Sequence, residues 1–143
     1  MRITRTAIAL LSLSTLLLAS LAFAGATMAG GRPFTTELLG ANERPNAGDP
    51  DGSGTATVTL NPGTGEVCYE ITVSGVDPLT AAHIHEAPAG SPGGVVIALP
   101  LADDCTTADR DVILEILRNP SDYYVNVHNA PYPGGALRGQ LSR

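Results

Sequence analysis

The chain has 143 residues but no lysine and no tryptophan, and it contains only two cysteines, three histidines, two phenylalanines and four tyrosines. Its eight basic residues are all arginine and face 14 acids, a formal net charge of −6. A surface so short of cations does not track phosphate backbones or anionic headgroups, which excludes nucleic acid and lipid surfaces as expected partners. Charge is scarce overall, at 15% of residues, which excludes a disordered acidic tail. The chain is instead rich in turn-formers, with 16 glycines and 11 prolines. That is more than a helical bundle tolerates, and it points to a loop-rich β domain.

One long apolar run is present, and it lies at the start. Arg2 and Arg5 precede an uncharged stretch from Ala7 to Ala24. This pattern predicts a secretory signal peptide over residues 1–24, with small-residue cleavage sites extending to residue 29. The competing reading is an uncleaved anchor, since about 18 apolar residues just span a bilayer; the serines, threonines and small-residue exit favour cleavage. No second apolar run follows, so no stable membrane anchor is expected. The expectation is a monomeric domain over residues 30–143, secreted or held in the periplasm or cell envelope. Loss of Arg2 and Arg5 leaves six arginines against 14 acids, a net charge of −8. In an oxidising compartment, two lone cysteines most simply form a Cys68–Cys105 disulfide, with two free buried thiols as the alternative. Closing a 37-residue separation would contribute roughly 4 kcal/mol in the chain-entropy picture.

Hydrophobic periodicity places the elements. Thr55–Leu60 and Val67–Val73 alternate apolar and polar residues around Asn61-Pro62-Gly63-Thr64-Gly65, the pattern of a hairpin with one buried face. Further strands are predicted over residues 34–39, 80–86, 94–99, 123–129 and 136–141, with a loop from Gly40 to Gly54. Between Asp109 and Asn119, Val112, Ile113, Ile116 and Leu117 fall on one helical face, with acids in the first turn, Arg118 in the last and Pro120 as a stop. The fold class is therefore all-β, a Greek-key sandwich or barrel of about seven to eight strands with one short helix.

Four separated blocks carry a family likeness: Leu39-Gly40-Ala41-Asn42-Glu43-Arg44-Pro45, Ala82-His83-Ile84-His85-Glu86, Tyr123-Tyr124-Val125-Asn126-Val127-His128, and Pro133 to Leu141. With these blocks the chain resembles the CHRD domain family, in its single-domain secreted bacterial form, from about Phe34 to Leu141. The resemblance implies an all-β extracytoplasmic domain of unsettled biochemical role, most simply a non-catalytic binding module for a protein or glycan ligand.

All three histidines lie in these blocks. His83 and His85 are two apart on a predicted strand, so their rings leave the same face. On the 123–129 strand, Tyr124, Asn126 and His128 share a face. If the two strands are neighbours, His128 completes a three-imidazole cluster suited to copper, and less well to zinc. This arrangement, followed by a Gly-rich turn bearing Arg138, resembles the copper half of the copper/zinc superoxide dismutases. On that analogy Arg138 stands at the mouth and steers an anion. There is no further histidine for a bridging ligand or a second metal. The alternative role of the three rings is structural: hydrogen bonds that pin the Ala87–Gly94 loop to the last hairpin.

Three other features have plainer readings. Gly90-Ser91-Pro92-Gly93-Gly94 lacks the lysine and hydroxyl of a phosphate loop and reads as a turn. Glu43 and Arg44 read as an internal ion pair. Tyr123, Tyr124 and Tyr132 gather near His128, with at least one expected in the core.

Overall fold

The structure, a computed structural model, describes residues 30–143. The expected signal peptide lies outside the described residues. Eight strands form one antiparallel sheet: β1 (Arg32–Leu39), β2 (Ser53–Asn61), β3 (Glu66–Ser74), β4 (Leu79–Glu86), β5 (Gly94–Ala98), β6 (Cys105–Thr107), β7 (Tyr123–Asn129) and β8 (Leu137–Gln140). Among the described residues a single α-helix, α1 (Arg110–Arg118), precedes β7. The spatial order is β5-β4-β7-β8-β1-β2-β3-β6, a nearly closed barrel rather than two stacked sheets. Consecutive strands β1, β2 and β3 form a meander. The chain then crosses to lay β4 against β7, and β8 joins the two halves by pairing with both β7 and β1.

The alternation in the sequence sets which way each strand faces. In β2, Ala56, Val58 and Leu60 are fully buried. The intervening threonines lie on the outside, where Thr55 meets Thr72 at 2.7 Å and Thr35 meets Thr57 at 3.0 Å; such cross-strand pairs add modestly to sheet stability. In β7, Tyr123, Val125 and Val127 enter the apolar core. Ile113 and Ile116 of α1 join the same core, with Val112 and Leu117 packed at its border. Asp111 in the first turn and Arg118 in the last match the helix dipole.

Two elements escape the sequence pattern. Strand β6 has three residues, and it pairs with β3 so that Cys105 stands directly opposite Cys68. The two form the disulfide, tying the short edge strand to the sheet. The expected 40–54 loop opens with a 3-10 turn at Gly40–Asn42 and gives way to β2 at Ser53. Among the described residues no helix is long and apolar enough to cross a membrane.

Candidate metal centre

The faces of β4, β7 and β8 that turn away from the apolar core carry a second, polar cluster. Register explains it: His83 lies opposite Asn126, His85 opposite Tyr124, Asn126 opposite Arg138, and Tyr124 opposite Gln140. Ala81 stands opposite His128, which leaves room for that ring to lean toward His83. The three histidines, expected to converge only if these strands were neighbours, do converge. One ligating nitrogen from each lies within 4.8 Å of the others. His83 Nδ1 is 3.1 Å from His128 Nε2. Two imidazoles bound to one tetrahedral ion at the usual 2.0–2.1 Å would hold their nitrogens about 3.4 Å apart.

The hydrogen bonds define the tautomers. His85 Nδ1–H donates to the Gly93 carbonyl at 2.9 Å, and His128 Nδ1–H donates to the Pro133 carbonyl at 3.0 Å. A carbonyl only accepts, so both rings carry their proton on Nδ1 and present Nε2 as a lone pair. His83 Nδ1–H therefore donates to His128 Nε2. His85 Nε2 has no partner, although the residue is only 9% exposed. A second nitrogen anchored to a carbonyl while the first remains a free lone pair is the arrangement that metal-binding histidines adopt. His83 and His128 are both pulled below the usual histidine range. Burial is the main cause for each. For His83 the repulsion of His128 and then His85 adds to it; for His128, His85 adds to it while the Pro133 hydrogen bond opposes it. Both are thus uncharged at neutral pH, the state a metal requires. His83 also lines an open groove of about 390 Å³ beside Ala82 and Leu99, which neither His85 nor His128 lines.

Arg138 is not at the mouth. It is 1% exposed, with its guanidinium 3.4 Å from the centroid of the Tyr124 ring. The other side of the site stacks likewise: His85 lies nearly parallel to Tyr124, centroids 4.9 Å apart. Arg138 Nη1 donates to Ser91 O at 2.7 Å, and Nη2 to Pro88 O and Gln140 Oε1 at 3.0 Å each. These bonds hold the 87–93 loop down. The loop's far end brings Gly93, whose N–H donates to Tyr124 Oη at 3.2 Å and whose carbonyl holds His85. A Cβ at Gly93 would collide with the Glu86 carbonyl, so this peptide approaches as closely as it does only because the residue is glycine. The anion-steering expectation is thereby corrected: a guanidinium committed to three oxygens and an aromatic face does not present its charge to solvent. The physical reason is that the register sets Arg138 on the same outer face as the histidines, and the 87–93 loop folds over that face and encloses it.

The early ion pair is corrected too. Arg44 turns to the backbone carbonyls of Ala41 and Glu43. Glu43 is 3% exposed and accepts a 2.8 Å hydrogen bond from Asn126 Nδ2. Its carboxyl presses against Gly135, which has φ +142° and where a Cβ would meet the carboxyl carbon at 2.5 Å. Of the three tyrosines, Tyr123 faces the core, Tyr124 the histidines, and Tyr132 lines a shallow groove with Arg44 and Pro133. The Glu43–Asn126 pair was missed in the sequence because the partners lie 83 residues apart; the Asn-Glu-Arg-Pro block was the only signal.

Burial raises the Glu43 carboxyl above its ordinary value of 4.5, against the lowering effects of the Asn126 hydrogen bond, the Arg138 charge and the Arg44 amide. A raised folded-state value means that the folded chain binds the proton more tightly than the unfolded one. Its contribution is present below about pH 4.5 and lost as pH rises through that value and the folded one. Glu43→Gln keeps an acceptor for Asn126 and removes the titration. Urea unfolding at pH 4 and pH 7 should therefore show the variant gaining on the wild type at the higher pH. An unchanged difference between the two pH values would contradict the buried-acid assignment.

The sequence profile of the CHRD domain matches residues 34–141. Neither comparison with curated proteins nor comparison with solved structures gives a match.

Proposed function

The chain belongs to the CHRD domain family, and from that premise we propose that it is a non-catalytic extracytoplasmic binding module whose ligand is one copper ion, held by His83, His85 and His128. Family membership supports a non-enzymatic domain. The disulfide is compatible with a place outside the cytoplasm. The observation that carries the ligand is His85 Nε2, a buried lone pair without a partner, facing two other imidazoles. Leaving a buried acceptor unpaired costs about 1–3 kcal/mol, an expense that a purely structural histidine has no reason to incur. Three imidazoles suit copper or zinc, and for a given nitrogen set copper binds more tightly. Binding requires His83 to surrender its Nδ1 proton and take the other tautomer, which breaks its hydrogen bond to His128.

The test is titration of the metal-free protein with copper, followed by calorimetry and electron paramagnetic resonance. One equivalent bound tightly, with superhyperfine structure from three nitrogens, is the expected result. Absence of tight binding for both copper and zinc would overturn the reading and leave the histidines as ties between the 87–93 loop and the last hairpin.

A further inference from the structure

His85 Nε2 is not alone. Among the described residues a second buried acceptor lacks a partner on the same face of the sheet: Asn126 Oδ1, in a residue only 2% exposed. Asn126 lies directly opposite His83 and two residues from His128, so it shares the histidines' face. Its amide is not free to turn. Nδ2 donates to Glu43 Oε1 at 2.8 Å, which directs Oδ1 away from the carboxyl. Glu43 is itself fixed, wedged against Gly135. The charged donor on the other side, Arg138, spends its Nη atoms on Ser91, Pro88 and Gln140. Two buried lone pairs on one face, one from nitrogen and one from an amide oxygen, call for different occupants. The nitrogen suits a metal ion. The oxygen suits a hydrogen-bond donor.

Three protein ligands leave a tetrahedral ion one open position. We infer that this position is kept for a small ligand that donates a hydrogen bond, water in the resting state, and that Asn126 Oδ1 receives that bond with Glu43 holding the amide in place. The inference rests on the copper reading above. It makes Asn126 a specificity-determining residue: the site favours water and other small O–H or N–H donors, and disfavours anions that only accept, such as azide. An acceptor-only anion in the open position would set a second lone pair against Oδ1.

The experiment uses the copper-loaded full chain with azide as the probe, read by its optical charge-transfer band and by electron paramagnetic resonance. Asn126→Leu removes the acceptor at similar volume and should tighten azide binding about tenfold, the worth of one charge-assisted hydrogen bond. Asn126→Asp keeps an acceptor and adds charge, and should weaken azide by at least that factor. Equal azide affinity in wild type and either variant would overturn the inference. Pulsed resonance of the wild type in light and heavy water gives a check that needs no variant: exchangeable protons of a bound water are expected, and their absence also overturns it. These results are distinct from failure of the copper reading, which would show earlier as no three-nitrogen copper signal in the wild type.

Discussion

His85→Phe is expected to leave the metal-free protein within about 1 kcal/mol of wild-type stability while weakening copper binding at least a hundredfold. The two halves of this expectation have separate origins. Phenylalanine retains the ring stacked on Tyr124 and loses the hydrogen bond to Gly93, worth about 1 kcal/mol. It also removes Nε2, the buried lone pair that has no partner, and that relief is of similar or larger size. The losses and gains nearly cancel in the metal-free chain. With copper they do not, since on the proposed reading a ligand is gone, and loss even of an outer-shell partner typically weakens a metal 10- to 100-fold. Urea unfolding without metal, together with a competition titration against a chelator, measures both. A strongly destabilised variant with unchanged copper affinity would show His85 to be a structural residue.

Arg138→Ala is expected to lose about 3–5 kcal/mol of stability and, with it, much of the site. The side chain is fully buried, and truncating it removes three hydrogen bonds from a charged donor, each worth about 1.5–3 kcal/mol. Here the Pro88 and Ser91 carbonyls and Gln140 Oε1 would lose their donor, and Tyr124 would lose a guanidinium from its face. The 87–93 loop would then be free to lift, taking with it the Gly93 carbonyl that fixes the His85 tautomer. In Arg138→Lys a positive charge remains, but the planar fork that reaches two loop carbonyls does not, so most of the loss should persist. Chemical denaturation of both variants checks the stability, and copper competition checks the coupling. A lysine variant as stable as the wild type would show that charge alone, rather than the fork, holds the loop.

The difference between the legible and illegible parts of this chain is one of range. β2, β3 and β7 declare themselves because five to seven residues alternate against an apolar core, and α1 because four apolar residues return on one face. β6 does not, since Cys105-Thr106-Thr107 is too short to show any period and is defined only by its partner. The histidine cluster was half legible. His83 and His85 share a face by spacing alone, whereas His128 joins them only through the β4–β7 register, a tertiary fact. Arg138 shows the limit most clearly. A lone arginine beside glycines reads as a surface charge, and nothing local says that Tyr124 and a loop 50 residues earlier will enclose it. Glu43 is the same case with the opposite sign. Buried charge is specified by what surrounds it, and those surroundings come from separate stretches of the chain.

The sheet order has a consequence for how the molecule comes into being. The first strand is completed on its second side by the last, β8, which joins the two halves of the barrel. A chain emerging from its amino end can form the β1–β2–β3 meander early, but β4 waits for β7, and the seam waits for residues 137–140. Pairings so distant in sequence fold slowly. The histidine pocket needs the Pro133 carbonyl and the Arg138 fork, so it is among the last parts to take shape. Any ion that enters it does so after the last strands have closed on the first, so acquisition of a ligand follows the final step of folding rather than accompanying synthesis.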